Sequence, residues 1–360
     1  MIGSGSYSRS GVGAGSDSVL PVALVIPVKN EAANLPELFA ALERAPAWPA
    51  EIIFTDAGST DGTQALLRNW AAEHSRVDVR MEIVERPGAF PGGGRNAGIA
   101  AAHAEWIAFV DGGIRPEPDF LSQLHACASA GGRSHAFGWC RFDAVGVIPL
   151  AVCALTNGVG RRRTVLPAAM FHRSVFERIG CFPEHLRSAE DLVWLKSFEM
   201  EYCDGRSAIT AAGSAALDGD RAVADPVAER LVCDGALVHY THYPASLGAI
   251  LCKWFTFERS SVAARAGGAG RAVYLGGAIA WLAMALFSPG PAVIAFVAYV
   301  TVRGVLDPIR RSRNLFWWRG APLALLAAPM CALCIDAGKV AGAVACLVAG
   351  PPLGGAPRRV

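Results

Sequence analysis

Several short stretches of this 360-residue chain carry side chains that could do chemistry together. In FVDGGIRPEPDFL an apolar run ends on one carboxylate, Asp111, and passes directly into a two-glycine turn. Two acids flanking one residue at such a strand end can both face a metal-bound diphosphate. Here Gly113 stands where the second acid would be, so charge must be handled some other way. TDAGSTDG ends another apolar run on Asp56, and PVKNEA follows a third with Pro27, Asn30 and Glu31. GGGRNAG sets Arg95 and Asn96 after three glycines. Glycines let a backbone approach a ligand closely, and amides at a helix start favour an anion. SAEDLVW opens a helix-like segment with Glu190 and Asp191, a position that the helix dipole favours for acids whatever their use.

The elements that must hold these residues follow from the hydrophobic pattern. From Val22, short apolar or β-branched runs (VALVIPV, EIIFT, RMEIV, WIAFV) alternate with helix-like segments (LPELFAALER, TQALLRNWAAEH, PDFLSQLHACA). This alternation predicts an α/β domain with a mixed, mostly parallel sheet flanked by helices. The runs are nearly continuous in apolar residues, as strands covered on both faces should be. Ligands of such sheets bind beyond the carboxyl ends of the strands, where PVKNEA, TDAGSTDG and VDGG all fall. Asp61 reads as a cap of the following helix rather than a ligand. After Gly132 the pattern loosens, with strands expected at AFGWCRF and PAAMFHR and a helix at AEDLVWLKSFEM.

Composition narrows the class. Net charge is +2, from 33 Lys and Arg against 31 Asp and Glu, which provides no overall basic field for a nucleic acid. Hydrophobic residues make up 52%, and the mean hydropathy of +0.33 predicts that part of the chain meets lipid. The ten cysteines are scattered and read as small buried hydrophobes.

The five segments IPVKNEAANLPELFAAL, EIIFTDAGSTDGT, GGGRNAGIAAAHAEWIAFVDGG, FHRSVFERIGCFPE and SAEDLVWLKSF, in this order, resemble family 2 of the inverting nucleotide-sugar glycosyltransferases, which have the GT-A (Rossmann-like) fold. The resemblance covers residues 22–201. It implies transfer of a sugar from a nucleotide donor to an acceptor hydroxyl. Pro27, Asn30, Glu31 and Asp56 would lie by the nucleotide, and Arg95 by the diphosphate. Asp191 would be the general base, and Glu190 a carboxylate that orients the acceptor or supports the base. Ala57 replaces one common acid and Gly113 another. Asp111 would then hold a ribose hydroxyl, or bind Mg2+ or Mn2+ weakly with the diphosphate completing the shell. Arg115, four residues on, is the cation expected to make up the missing charge in a metal-independent site. His242 is a second candidate metal ligand, with His239 nearby. Lys253 and Arg259 suit either an interfacial helix or a site for an acceptor phosphate.

Beyond Arg271 the sequence turns apolar in two blocks separated by RGVLDPIRRSRNLFWWRG. SPGP should split the first block into arms 273–287 and 292–302, about 22 and 16 Å long against a hydrocarbon core of about 30 Å. Basic residues on both flanks favour a re-entrant or interfacial hairpin facing the cytoplasm over two ordinary spans. Pro329 should break the second block likewise. The expected organisation is a Gly/Ser tail (1–20), a GT-A domain (21–245), an amphipathic linker (246–271), membrane-associated helices (272–350) and a basic tail (351–360). A chain ending near Arg265 is expected to be more soluble. The expected activity is membrane-associated glycosyl transfer in cell-envelope or exopolysaccharide assembly, with a lipid-linked acceptor favoured by the tail. Two alternatives stand: a sugar-nucleotide-binding protein with impaired catalysis, suggested by Ala57 and Gly113, and a processive synthase. The few apolar segments and the lack of a Gln-X-X-Arg-Trp motif oppose the second.

Overall fold

The computed structural model describes residues 18–202, 230–263 and 268–349, so most of the Gly/Ser leader, Arg265 and the basic tail lie outside the described residues. The chain runs β1 (Val19–Val28), α1 (Leu35–Glu43), β2 (Trp48–Asp56), α2 (Thr63–Glu73), β3 (Arg80–Glu85), α3 (Pro91–Ala101), β4 (Trp106–Phe109), β5 (Ile114–Pro116) and α4 (Phe120–Gly131). It continues through β6 (His135–Phe142), α5 (Val147–Thr156), β7 (Arg162–Arg163), β8 (Ala169–His172), α6 (Arg173–Ile179), α7 (Glu190–Tyr202) and β9 (Val232–Tyr240). Five helices close it: α8 (Leu247–Ala263), α9 (Gly268–Phe287), α10 (Pro289–Thr301), α11 (Asp307–Arg311) and α12 (Pro322–Ala349).

These strands form one sheet in the order β3-β2-β1-β4-β8-β6-β9-β5, with β7 paired to β6. β3, β2, β1 and β4 are mutually parallel, while β8 runs antiparallel to both its neighbours. The sheet is therefore mixed, as the alternation of runs and helices predicts. Its central strands β1 and β4 are apolar because both faces are covered. Val22, Leu24 and Ile26 of β1 pack with α1, α2 and α4 on one face. Ala23 and Val25 pack with Ile99, Phe176, Trp194 and Phe198 of α3, α6 and α7 on the other. Register then places the functional strand ends side by side, since Val28 pairs with Asp56 and Val25 with Phe109.

The apolar tail departs from its expected shape in two ways. SPGP does end α9, and the Trp281 indole donates to the Ala292 carbonyl at 3.1 Å across the resulting hairpin. The second arm, however, does not stop near residue 302. α10 continues through a π-helical turn (Val302–Leu306) into α11, giving a 23-residue helix of about 34 Å. Nor does Pro329 break the second block: α12 runs 28 residues, about 42 Å, straight through it. Packing explains the tolerance. A Cβ at Gly304, inside the π turn, would lie 2.6 Å from Pro329 Cα, so the two helices meet backbone to backbone where each is irregular. Both helices are thus long and apolar enough to cross a bilayer, and Ile294, Val297, Leu326 and Leu347 are exposed along them.

α12 is also part of the main core. Its Ala328, Cys331, Ala332 and Ile335 are buried in the same cluster as β1 and α5. Gly338 and Gly342 press onto α8 so closely that a Cβ would sit 2.8 Å from the Leu251 carbonyl and 2.4 Å from that of Phe255. The segment expected to link two domains is therefore a 17-residue helix bound tightly to the tail. Ending the chain near Arg265 would strip α12 from this core and uncover apolar surface, which opposes the expected gain in solubility.

Candidate active site

A cleft of about 420 Å3 opens beyond the carboxyl ends of β1, β2 and β4. Pro27, Glu31, Ala57 and Asp111 line it from the sheet, Gly94 and Arg95 from α3, Glu190 and Asp191 from α7, and Phe257 from α8. Its volume falls within the range typical of small-molecule sites.

Arg95 holds the centre. Its Nη2 donates to Asp111 Oδ1 at 2.8 Å and its Nη1 to Glu190 Oε1 at 2.6 Å, linking the end of β4 to the start of α7. The residue is only 3% exposed. Burial works against its charge, but Asp111, Glu190 and Asp191 outweigh it and hold the guanidinium above its ordinary value. A glycine on each side of it serves protein packing. A Cβ at Gly92 would meet the Pro183 carbonyl at 2.7 Å, and one at Gly98 would meet Val25 Cγ1 at 2.3 Å. α3 therefore lies against β1 and the 180s loop, which carries Arg95 beneath the end of β4. A guanidinium held by two carboxylates is not the free diphosphate cation that its sequence context suggests.

Glu190 and Asp191 divide into a buried and an accessible acid. Glu190 is 4% exposed, and burial pushes its carboxyl up although Arg95 opposes the shift. Asp191 is half-buried and faces the cleft, and its Oδ1 accepts from the Leu192 amide at 2.8 Å. Ala189 precedes them with φ 67°, a left-handed conformation unusual for alanine, and sets where α7 begins.

The remaining residues singled out in the sequence are less uniform. Glu31 lines the cleft, and burial raises its carboxyl against the opposing effects of Asn34 and His242. Asn30 turns away. With φ 56° it accepts from the Thr60 amide at 2.8 Å, and its own amide donates to Ser59 Oγ, so it ties two strand-end loops together. Asp56 is fully buried and accepts from the Ser59 amide and hydroxyl and from Gln64 Nε2 at 2.6 Å. Its neighbours Thr55 and Ala57, rather than Asp56 itself, line the cleft. Asp61 stands one residue before Gly62, the N-cap of α2, and accepts from the Thr63 amide and hydroxyl at the helix start.

Arg115 also lies outside the lining. The Gly112–Gly113 turn redirects the chain into β5, where Arg115 pairs in register with His239 of β9. His239 is itself engaged with Glu117 at 2.7 Å. Besides Arg95, the cations that line the cleft are Lys29 and Arg187, the latter with its guanidinium 5.8 Å from the Phe90 ring centroid. Sequence reading passed over both, as it did Phe257. Arg187 stands three residues before Glu190, and Phe257 lies between Lys253 and Arg259, so proximity to motifs was the available signal. Lys253 instead donates to the Tyr240 hydroxyl at 3.0 Å.

The acids do not form a ready cation site. Asp111 Oδ1 is committed to Arg95, and Gly113 offers no side-chain ligand. His242 Nδ1 lies 2.8 Å from the Gly113 carbonyl, which makes that nitrogen the donor. Among the described residues no three His, Cys, Asp or Glu side chains are grouped to hold an ion.

Comparison with known proteins agrees with this architecture. Residues 23–147 match the glycosyl transferase family 2 model. Glycosyltransferase AglE of Haloferax volcanii is 29% identical over 190 residues, covering 50% of this chain and 62% of that protein. Succinoglycan biosynthesis protein ExoO of Rhizobium meliloti is 33% identical over 116 residues, 32% of each chain. The chain thus spans less than two thirds of each of these relatives. Among solved structures, the mannosyltransferase PcManGT from Pyrobaculum calidifontis, in complex with GDP-Man and Mn2+, superimposes with a TM-score of 0.51 at 18% identity, covering 94% of this chain and 91% of that one. The shared fold is of the GT-A type.

Proposed function

We propose that the chain is an inverting glycosyltransferase that moves a sugar from a nucleotide-sugar donor to an acceptor hydroxyl. One observation carries this reading: Arg95 joins the strand-end acid Asp111 to the helix-start pair Glu190–Asp191 within one cleft. The donor lies along the strand ends, with its diphosphate toward Asp111, Lys29 and Arg187. The acceptor enters beside Asp191 and Phe257. Asp191 removes the hydroxyl proton as the acceptor oxygen bonds to the anomeric carbon. The bond from that carbon to the diphosphate breaks, the nucleoside diphosphate leaves with the electron pair, and the configuration inverts. Lys29 and Arg187 offset the negative charge that grows on the leaving group.

AglE, ExoO and PcManGT support a role in glycan assembly, and PcManGT's GDP-Man and Mn2+ make nucleotide sugars with a divalent ion the first combination to test. The residues here fit an ion that arrives with the diphosphate and takes Asp111 as its one protein carboxylate, so it would be weakly held. A lipid-linked acceptor is supported by α8, which brings Phe257 to the cleft while packed against α12. The active face is then on the cytoplasmic side, where nucleotide sugars are made. Ala57 and Gly113 favour a second reading, a donor-binding protein without transfer.

Release of nucleoside diphosphate by the full-length protein, screened over nucleotide sugars with and without divalent ion, separates the two. One donor is expected to give turnover that rises with acceptor. Tight donor binding without release for any sugar would establish the second reading. Gly113→Asp then tests the weak-metal proposal. Gly113 is outside the left-handed backbone region, and a Cβ there would stand 3.6 Å from Glu31 Oε2 and His242 Nδ1, so the side chain fits. The added carboxylate is expected to lower the divalent concentration for half-maximal release by about tenfold or more, as a further hard oxygen ligand should. An unchanged metal response would place the ion away from Asp111.

A further inference from the structure

The tail carries a charged surface that transfer chemistry does not use. Two segments about 150 residues apart build it: the loop around β7 and the turn between α11 and α12. They are firmly joined. The Arg313 amide donates to the Val159 carbonyl at 3.0 Å, and the Val159 amide donates to Ser312 Oγ at 3.0 Å. Gly158 has φ 85° and lies so close to the Arg311 carbonyl that a Cβ would be 2.1 Å away. Trp317 is buried against Ala154, and its indole donates to the Pro308 carbonyl.

This join gathers Arg162, Arg163, Arg310, Arg311, Arg313 and Arg319. All but Arg311 are exposed. Among the described residues the only carboxylate paired with any of them is Asp307, which also meets Arg303. Arg311 Nε is buried without a hydrogen-bond partner. Arg163 and Arg310 act on Arg311 as like charges, and such charges repel one another unless an anion lies among them. The patch also sits where the 289–311 helix ends and α12 begins. Leu315 and Phe316 are more than half exposed beside it, and Arg319 lies 4.4 Å from the Phe316 ring centroid. Arginine beside aromatic and aliphatic side chains at the shared end of two apolar helices matches a cytoplasmic bilayer interface.

We propose that this arginine patch binds the anionic headgroups of a membrane leaflet and fixes the depth and tilt of the catalytic domain on it. The proposal rests on the reading that the two long helices enter a bilayer. Because β6 runs parallel to β9 and in the same sense as β4, the loops after it lie at the sheet end that carries the cleft. Headgroups held there would keep the cleft beside the lipid surface from which an acceptor comes.

The test uses full-length protein in neutral detergent and follows its thermal unfolding midpoint as phosphatidylglycerol, phosphatidylcholine or inorganic phosphate is added. Phosphatidylglycerol is expected to raise the midpoint, less so at high salt, while phosphatidylcholine and phosphate leave it unchanged. The triple variant Arg162→Gln, Arg163→Gln, Arg313→Gln should need roughly 10² times more phosphatidylglycerol, at about fivefold per lost surface charge. If that variant unfolds earlier without lipid, Arg310→Gln with Arg319→Gln provides the same comparison. An equal response to phosphatidylcholine, or an unaltered response in both variants, would overturn the proposal. A matching response to phosphate would make the patch a soluble-anion site instead. Micelles report headgroup binding whether or not the helices cross a bilayer. Recovery of the full-length chain in the soluble fraction of a detergent-free lysate would defeat the membrane reading separately.

Discussion

Asp191→Asn is expected to reduce sugar transfer by roughly 10² to 10⁴ while leaving donor affinity close to that of the unaltered protein. Position and chemistry both lead to this result. Asp191 faces the cleft from the first turn of α7, and its Oδ1 accepts a hydrogen bond from the next residue's amide. Asparagine keeps an oxygen for that bond, so the helix start is preserved. What is lost is the capacity to take a proton. Glu190, its neighbour, differs in being buried and bound to Arg95, which suits it to holding the site together rather than exchanging protons with an acceptor. Measurement of kcat beside nucleotide affinity separates the roles. Turnover near the original level in Asp191→Asn would remove it from the mechanism, whereas weakened donor binding with kcat retained would move it to the donor side.

The second large effect concerns Arg95. Arg95→Met leaves Glu190 buried without its cation, while Asp111, more open to solvent, can regain water. Breaking one side of a buried ion pair commonly costs about 3–5 kcal/mol, and a loss of that order is expected in unfolding experiments. The effect depends on pH with a definite sign. Burial already holds the Glu190 carboxyl above its ordinary value, with Arg95 opposing. The folded protein therefore keeps a proton there at pH values where the unfolded chain has released it. Stability from this group is complete below the ordinary carboxylate range and is lost as pH rises through Glu190's own, higher value. Removing Arg95 moves that value further up and extends the loss toward neutrality. Thermal midpoints of Arg95→Met should accordingly fall from acid to neutral pH, and adding Glu190→Gln should flatten the profile and restore part of the stability. A single variant as stable as the original, with no added pH dependence, would show that the bridge contributes little. Donor-dependent release should drop in either case, because Asp111 and the start of α7 lose their common anchor.

The sequence by itself determined the sheet and the neighbourhood of the site. Continuous apolar runs such as VALVIPV can be stable only when covered on both faces, and a parallel sheet brings the residues after its strands to one end. That is why PVKNEA and VDGG, with Glu31 and Asp111, could be placed at one end of the sheet, whereas Glu190 and Asp191 were named through the resemblance of SAEDLVW to the family motif; SPGP could be read as the end of a helix. These are effects of neighbouring residues, and period and turn chemistry report them directly. Tertiary structure decided which charges are available. Arg95 and Glu190 are 95 residues apart, and no local signal tells that each neutralises the other. Asp56 ends its strand as expected, yet its oxygens are taken by Ser59 and Gln64. Arg115 follows Asp111 by four residues, but a two-glycine turn and pairing with β9 carry it out of the cleft, while Arg187 is brought in. The same holds for α12. Proline predicts a break when only the chain's own hydrogen bonds are considered, but Gly304 lets another helix pack directly on Pro329, and the buried face against β1 and α5 keeps the helix whole. Strand and helix identity follows from interactions a few residues apart, whereas the partner of a charge or the cover of a kink depends on contacts that form only when distant segments pack.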